Sequence, residues 1–263
     1  MAERSEVLAH IAVEAGNLAR QMRATATIVV EKGNLNFATS ADIASEELIR
    51  NRLAVAFPDI PFVGEESIKD GAVPSTAFVV DPIDGTTNFA QGGDDWGVSI
   101  GLLENGEPTA GVIYIPSREQ LLRCGEGRTL LNDQRVDLSN IAHAAQPRLA
   151  LCGQEALTKR ADRGEQRWLL ELLADYSYVL ASASAVVDIM TVAQARTAGM
   201  VALTSFSWDV LAGAAAITQA GGFVRTLKGE PVDWSVATTG ALVMGSAAFV
   251  LDIANRAEDF TQR

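Results

Sequence analysis

Two aspartates three residues apart, Asp81 and Asp84, are the residues of this sequence best suited to metal or phosphate chemistry. They lie in the segment DPIDGTTNF, directly after the apolar residues 77–80. That apolar run predicts a buried strand ending at Asp81, because Pro82 cannot continue a hydrogen-bonded ladder. Carboxylates at the carboxyl end of such a strand point into the crevice where open α/β sheets bind ligands. A kink at Pro82 would place Asp84 beside Asp81 and expose the Ile83 carbonyl, and oxygens of these kinds suit one or two Mg²⁺ ions.

The residues that follow Asp84 are suited to holding an anion. Gly85 permits close approach of the backbone, and the amides of Gly85, Thr86 and Thr87 would form a phosphate site if they open a helix. The alternative interpretation is structural: an Asp-Gly turn at a strand end, with Thr86 as the cap of the next helix. These residues alone leave both interpretations open.

Two further acidic features have the right chemistry to complete a metal site. Glu65 and Glu66 follow Gly64 in FVGEES, and Asp209 lies at the start of a predicted helix in SWDVLAG. Each has an ordinary structural alternative. Adjacent glutamates commonly form a solvated surface pair, and an aspartate in the first turn of a helix caps that helix or interacts favourably with its dipole.

Composition restricts the chemistry that is available. The 263 residues are 48% hydrophobic and 21% charged, which predicts a folded core. His10 and His143 are the only histidines, so a zinc site of several imidazoles is not expected. The formal net charge of −12 argues against a general affinity for nucleic acid, which needs clustered Lys and Arg. It does not exclude phosphate chemistry, because bound cations reverse the local charge.

The cysteines and the first residues bear on the compartment. Cys124 and Cys152 are the only cysteines and neither belongs to a CxxC pair, so they form no disulfide framework. The opening residues MAERSEVLAH lack the basic region and apolar run of a signal peptide, and no segment reaches the length of a membrane span. We therefore expect a cytoplasmic protein with reduced thiols and no membrane partner.

Hydrophobic periodicity predicts the elements that must position these residues. The first part of the chain predicts helices and a following meander of strands: helices at 5–22 and 42–57, then strands at 77–80, 96–103, 110–116 and 119–124. Polar, irregular sequence around 138–150 marks a boundary. Helices then alternate with strands: helices at 163–175, 185–197, 209–220 and 247–257, and strands at 178–182, 200–206 and 241–245. The prediction is an α+β lobe at residues 1–140 and an α/β lobe at 141–263.

The segments GEES, DPIDGTTNF and WDVLAGAAAITQAGG, in this order and at these separations, resemble the inositol monophosphatase family of Mg²⁺-dependent phosphatases. Its superfamily also includes the fructose-1,6-bisphosphatases. The likeness covers nearly the whole chain, including EKGNLNFAT, AFPDIPFVGEES and GVIYIP. It implies an α+β fold arranged as a layered α/β/α/β/α sandwich. It also favours the metal-binding interpretation of Asp81, Asp84 and Asp209 over the structural one.

The resemblance implies a role for each motif residue. Glu65, Asp81 and the Ile83 carbonyl would bind one Mg²⁺, and Asp81, Asp84 and Asp209 another. A third, looser ion would involve Glu65, which gives two or three ions per subunit, with Mn²⁺ as a possible replacement.

The implied catalytic residues are Thr86 and Glu65, which would activate a water, with Asp42 in support. The chemistry would be direct in-line displacement at phosphorus, without histidine or a covalent nucleophile. The residues implied in substrate binding are Gly85, Thr86, Ser184 and Asp209.

Departures from the family pattern make the substrate harder to predict than the reaction. Ala202 stands seven residues before Asp209, where inositol phosphatases carry a glutamate that contacts sugar hydroxyls. Ala183 and Ser184 replace a glycine-small pair, and the segment 36–39 reads Asn-Phe-Ala-Thr where many relatives read Asp-Leu-Val-Thr. The metal and phosphate residues are retained, whereas polyol recognition is not.

The expected partner is a small phosphorylated metabolite: inositol phosphate, histidinol phosphate, a sugar bisphosphate or adenosine 3′,5′-bisphosphate. Asp94 and Asp95 in QGGDDW would favour a neutral or cationic alcohol if their loop borders the cleft, or else are solvated loop residues. Trp96 and Trp208 are candidates for stacking on adenosine, with Trp208 more suited to the core. The family resemblance also implies a homodimer. A regulatory binding protein with incidental catalysis is the alternative from a different class.

Overall fold

Two helices and the first large sheet form the outer layers of the N-terminal half. The structure, a computed structural model, describes residues 3–33, 36–68, 71–139, 148–153 and 163–261. Helix α1 (Arg4–Met22) turns an apolar face inward at the spacing expected of a one-sided helix. Helix α2 (Ser40–Ala56) begins with a capping box between Thr39 and Asp42. Ahead of α2, β1 (Ile28–Gly33) and β2 (Asn36–Thr39) pair antiparallel.

The first large sheet has seven strands in the order β3-β4-β5-β6-β7-β8-β9. Its strands are β3 (Phe62–Gly64), β4 (Ala77–Asp84), β5 (Gly97–Glu104), β6 (Glu107–Ile115), β7 (Gln120–Gly125), β8 (Arg128–Leu131) and β9 (Gln134–Arg135). β3 pairs parallel with β4, and every later pair is antiparallel. Alternate residues of the strands therefore point to opposite faces, and one face packs on α1 and α2 through side chains such as Phe78, Val80 and Ile100.

The second sheet has five strands in the order β11-β10-β12-β14-β13. Its strands are β10 (Arg148–Cys152), β11 (Tyr178–Leu180), β12 (Gly199–Ala202), β13 (Phe223–Thr226) and β14 (Leu242–Gly245). β10 pairs parallel with β11 and β12, while β14 runs antiparallel to its two neighbours. The sheet is therefore mixed, in contrast to the mainly antiparallel first sheet.

Helices fill the space between the sheets and cover the outer face of the second. Besides the short α3 (Thr86–Ala90), these helices are α4 (Arg163–Ala174), α5 (Ala185–Ala193), α6 (Ser207–Gln219) and α7 (Ala247–Thr261). α5 and α6 share one hydrophobic cluster with both sheets, and α4 and α7 pack on the far side of the second sheet. The layered α/β/α/β/α sandwich and the α+β class are thus confirmed.

Several predicted boundaries were wrong, in most cases by a few residues. The helix predicted at 185–197 ends at Ala193 and the strand predicted at 200–206 ends at Ala202. Seven of the described strands were not predicted: β1, β2, β3, β8, β9, β10 and β13. Five of them have only two to four residues, which carry too little periodicity, and β10 begins within the stretch 138–150 that was predicted to be irregular. Residues 140–147 and His143 lie outside the described residues, so the boundary between residues 140 and 141 stays a prediction. In the described part of the chain, no helix combines the length and apolarity that crossing a membrane requires.

Candidate metal and phosphate site

A bulge in β4 places the first two aspartates. Asp81 lies opposite Ser99 on β5 and Asp84 lies opposite Gly97, so the segment from Asp81 to Asp84 has one residue more than its partner. Such an extra residue is a β-bulge, and it tolerates Pro82 because the missing N–H is not needed in the ladder there. The prediction that the strand ends at Asp81 is therefore wrong: β4 continues to Asp84. The bulge does what was expected of a kink, since it brings both carboxylates to one end of β4.

The third carboxylate comes from the first turn of α6. Asp209 accepts a hydrogen bond from the Phe206 backbone N–H at 3.4 Å, which fixes it over the start of the helix. Asp81, Asp84 and Asp209 each have a carboxylate oxygen within 4.8 Å of those of the other two. Asp81 is buried and the others are half-buried. Three such oxygens beside one another are the hard donor set that Mg²⁺ and Mn²⁺ prefer.

The electrostatics of this cluster favour a bound cation. Burial raises the pKa of Asp81 well above its usual value, and the charges of Glu65, Asp84 and Asp209 raise it further. Burial followed by the charges of Asp84 and Glu65 raises the pKa of Asp209 in the same way. Desolvation and like-charge repulsion both penalise the ionised carboxylates, and a divalent cation relieves both costs. The residues present therefore fit a metal of this kind.

Asp84 is held by the start of α5. The Ser184 hydroxyl donates to Asp84 Oδ2 at 2.6 Å, and the Val186 backbone N–H donates to the same oxygen at 2.8 Å. Burial nevertheless raises the pKa of Asp84 to about 6, with these hydrogen bonds acting in the opposite direction. Ser184, which the family resemblance assigns to substrate binding, thus contacts a cluster carboxylate and also caps α5. Ala183 before it has φ 58, a left-handed conformation that is costly for a residue with a side chain.

Glu65 follows β3 and lies near the cluster, although the three carboxylates that converge are those of the aspartates. Its backbone N–H donates to the Val80 carbonyl at 3.0 Å, and its charge contributes to the raised pKa of Asp81. The neighbouring Glu66 N–H donates to Glu46 Oε2 at 2.8 Å. Glu46 is buried on α2 and pairs with Arg50 at 2.6 Å. The GEE segment is therefore anchored to α2 by a carboxylate that the sequence did not mark as important.

Thr86 and Asp42 form a hydrogen-bonded pair beside the cluster. Thr86 Oγ1 lies 3.2 Å from Asp42 Oδ1 and 3.0 Å from the Ile83 carbonyl oxygen, so one hydroxyl proton faces two acceptors. Asp42 Oδ2 accepts from the Thr39 backbone N–H at 2.8 Å and from the Thr39 hydroxyl at 2.5 Å. Burial raises the pKa of Asp42 to about 6, against the lowering effect of the Thr39 hydrogen bonds. A carboxylate with this pKa can take up a proton near neutral pH.

Gly85 connects the bulge to α3 and leaves no room for a side chain. Its φ is 88, in the left-handed region, and a Cβ there would lie 2.7 Å from the Asp95 carbonyl oxygen. The following Asn88 donates to the carbonyls of Asp95 and Ser182 at 2.6 and 2.8 Å. One amide side chain therefore ties α3 to the 94–95 loop and to the segment that holds Asp84.

The residues expected to select the substrate lie in the 94–95 loop and at Ala202. Asp95 forms an ion pair with Arg118, and the Asp94 carboxylate lies 3.9 Å from Arg23. Arg118 compensates the charge of Asp95, whereas the Asp94 side chain is 74% exposed. The expectation that this loop favours a cationic alcohol stays a prediction. Ala202 is fully buried in the core and offers no polar group to a polyol.

The tryptophans suggested for stacking are both buried. Trp96 is 1% exposed and packs edge-on against Phe89 with ring centroids 4.9 Å apart. Trp208 is 8% exposed and stacks against Phe206.

Two residues near the site were missed in the sequence. Phe206 was missed because the exposure of a single aromatic residue before a helix has no signature in the sequence. Asp188 was missed too, although an aspartate within the apolar helix sequence AVVDIMTVA was a usable signal.

Known proteins resemble this chain in sequence and in overall structure. The profile of the inositol monophosphatase family matches residues 1–255. The chain is 32% identical over 232 residues to the Nus factor SuhB of Xylella fastidiosa, with 85% of this chain and 82% of that protein covered. It is 30% identical over 236 residues to a fructose-1,6-bisphosphatase/inositol-1-monophosphatase of Aquifex aeolicus, with 87% and 85% covered. The inositol monophosphatase structure from Anabaena (Nostoc) matches with a TM-score of 0.78 at 26% identity, over 97% of this chain and 94% of that one. The chain therefore belongs to the inositol monophosphatase family.

Proposed function

We propose that this protein is a Mg²⁺-dependent phosphomonoesterase that hydrolyses a small phosphorylated alcohol. The observation that carries the proposal is the convergence of Asp81, Asp84 and Asp209 within 4.8 Å, beside the hydrogen-bonded pair of Thr86 and Asp42. Carboxylates buried together in this way are destabilising unless a cation binds them. Membership of the family supports the same reaction class.

The residues that would hold Mg²⁺, or Mn²⁺ in its place, are Asp81, Asp84, Asp209, Glu65 and the Ile83 carbonyl. Two or three ions per subunit is the number implied by the family resemblance. When bound, such ions lower the pKa of water and neutralise charge on phosphoryl oxygens.

The other residues supply proton transfer and orientation. The Thr86 hydroxyl donates toward Asp42 Oδ1. It could take a proton from the attacking water as it passes its own proton to Asp42, which would end protonated. Glu65 would act as a second acceptor for that water. The amides of Gly85 and Thr86, at the start of α3, would bind the phosphate oxygens. Displacement at phosphorus would then need no covalent intermediate.

The test is phosphate release from inositol 1-phosphate, histidinol phosphate and fructose 1,6-bisphosphate with Mg²⁺, by the wild type and by Asp84→Asn. Asp84→Asn keeps the side-chain size but removes a negative charge, so turnover should fall by a factor of about 10³ or more. Asp94→Asn, at a carboxylate that is 74% exposed, is the matched control and should retain wild-type turnover. A loss of less than tenfold in Asp84→Asn at saturating Mg²⁺ would show that Asp84 is not a ligand.

The same panel addresses the substrate. Ala202 cannot accept a hydrogen bond from a polyol hydroxyl, and a site without such groups discriminates poorly. We therefore expect inositol 1-phosphate to be a mediocre substrate. A strong preference for it would contradict this interpretation of Ala202.

A regulatory binding role is a second candidate, favoured by the resemblance to a protein named Nus factor SuhB. The formal charge of −12 weighs against general nucleic-acid binding. A macromolecular partner that still binds Asp84→Asn, together with no detectable phosphatase activity in the wild type, would favour the regulatory role.

We also propose that the protein is a cytoplasmic homodimer. Light scattering of the purified protein tests whether it is a dimer.

A further inference from the structure

The side-chain amide of Asn88 joins two segments that are distant in sequence. Its nitrogen donates to the Asp95 carbonyl at 2.6 Å and to the Ser182 carbonyl at 2.8 Å. An amide NH₂ group has two hydrogens to donate, so both are used. Gly85 is adjacent to both segments, because a Cβ there would lie 2.7 Å from the Asp95 carbonyl oxygen and 3.0 Å from Ser184 Cβ. Asn88 therefore holds together two segments that both contact the backbone of Gly85.

Ser182 begins a short turn that leads into α5. Its hydroxyl donates to the Ser184 carbonyl at 2.8 Å and accepts from the Ser184 N–H at 3.2 Å. Its own N–H donates to Asp188 Oδ1 on α5 at 3.4 Å. Between these serines, Ala183 has φ 58, a conformation that a residue with a side chain holds only when its surroundings enforce it. The hydrogen bond from Asn88 to Ser182 is therefore one of the contacts that keep this turn in place.

The turn presents two donors to one oxygen of Asp84. The Ser184 hydroxyl and the Val186 N–H reach Asp84 Oδ2 at 2.6 and 2.8 Å. Together they fix the rotation of the carboxylate, because a rotation would break both hydrogen bonds. Asp84 belongs to β4, whereas Ser184 comes 100 residues later in the chain. The position of these donors therefore depends on contacts between the two parts of the chain, and the contact of Asn88 with Ser182 lies in the same turn.

Metal ligands bind an ion best when their orientation is fixed, and loss of a group that orients a ligand typically weakens metal binding by about 10- to 100-fold. We propose that Asn88 is a positioning residue for the metal cluster, because it fixes the start of α5 on the Asp84 carboxylate and thereby strengthens Mg²⁺ binding. The inference rests on the proposed Mg²⁺-dependent function. Asn88 acts on Asp84 through the turn at Ser182, so we expect an effect of about tenfold, at the lower end of that range.

The test measures the dissociation constant of Mg²⁺ for chelator-treated protein by titration calorimetry, at a temperature at which each variant is folded. Asn88→Leu keeps the branched shape of the side chain and removes both hydrogens, and it should raise the dissociation constant about tenfold. Gln219→Met is the matched control. The Gln219 amide donates to the Thr109 carbonyl at 2.7 Å at the end of α6, about 15 Å along the helix from Asp209. Gln219→Met should lower stability and leave the dissociation constant unchanged.

A double-mutant cycle tests the route of the effect. Ser184→Ala removes one donor to Asp84 and should itself weaken Mg²⁺ binding. If Asn88 acts through this turn, the double variant of Asn88→Leu and Ser184→Ala should weaken binding by less than the product of the two single effects.

The inference is overturned by an unchanged dissociation constant in Asn88→Leu, by an equal change in Gln219→Met, by a double variant that shows the full product, or by a wild type that binds no Mg²⁺. If Asn88→Leu does not fold, Asn88→Ala must show the weaker binding. Phosphate release from inositol 1-phosphate, histidinol phosphate and fructose 1,6-bisphosphate separates the inference from the proposed function. Mg²⁺ binding in the expected order of affinities without hydrolysis by the wild type would contradict the proposed function and support the role of Asn88.

Discussion

Asp188 gives the most quantitative prediction, because its carboxyl is buried with one oxygen unsatisfied. It lies on α5 with no exposed surface. Oδ1 accepts a long hydrogen bond from the Ser182 N–H at 3.4 Å, and Oδ2 has no hydrogen-bond partner among the described residues. Burial, with smaller contributions from the charges of Asp84 and Asp95, raises the pKa of Asp188 from 3.8 to about 7.

The raised pKa makes the apo protein less stable as the pH rises. The folded state holds the Asp188 proton more tightly than the unfolded chain, so the stabilising contribution is complete below pH 3.8 and is lost as the pH rises through about 7. A shift of about three pKa units, at about 1.4 kcal/mol each, contributes about 4 kcal/mol to the free energy of unfolding at low pH. About 2.5 kcal/mol of this contribution is lost between pH 5 and pH 8.

Asp188→Asn should remove this part of the pH dependence. The amide oxygen can still accept from Ser182, and the side chain carries no titrating proton. The free energy of unfolding is measured with urea in the presence of a chelator. Between pH 5 and pH 8 it should fall by about 2.5 kcal/mol more in the wild type than in Asp188→Asn. Asp94→Asn, at an exposed carboxylate, is the control and should follow the wild type. Equal pH dependence in the wild type and Asp188→Asn would refute the reasoning.

Three further substitutions test the backbone and hydroxyl contacts of the site. Ala183→Gly relieves the left-handed conformation at φ 58 and should raise the free energy of unfolding by about 0.5 kcal/mol after the entropy of glycine is subtracted; a decrease in urea midpoint would contradict this. Gly85→Ala introduces a Cβ 2.7 Å from the Asp95 carbonyl and should destabilise the fold by about 2 kcal/mol or more, measured by thermal unfolding; an unchanged melting temperature would show that the loop yields freely. Thr86→Val removes the hydroxyl between Asp42 and Ile83 and should lower kcat by a factor of about 10² or more, whereas Thr86→Ser should retain most of the wild-type kcat. Equal activity of both variants would show that the Thr86 hydroxyl takes no part in proton transfer.

Local periodicity was sufficient for most of the helices, because apolar spacing is a local property, whereas the layered sandwich followed from the family resemblance. Apolar spacing identified α1 and α2, and the alternation after residue 150 identified the second layer of helices. The meeting of Asp81, Asp84 and Asp209 followed from a strand end and a helix start that the family resemblance brought together. Their roles as ligands stay predictions.

The features that were not predicted depend on partners distant in sequence. The β4 bulge is defined by the register against Ser99 and Gly97, so a rule about Pro82 alone ended the strand too early. Arg118 pairs with Asp95, and this pairing is not visible in the acidic segment itself.

The most direct test of the central claim is the rate of phosphate release as a function of Mg²⁺ concentration, starting from chelator-treated protein. The cluster of Asp81, Asp84 and Asp209 predicts no activity without metal, saturable recovery with Mg²⁺ in the wild type, and a maximal rate at least about 10²-fold lower in Asp209→Asn. Circular dichroism must show that the variant is folded. Full activity of the metal-free wild type, or an identical Mg²⁺ curve for Asp209→Asn, would contradict the assignment of this cluster as the metal site.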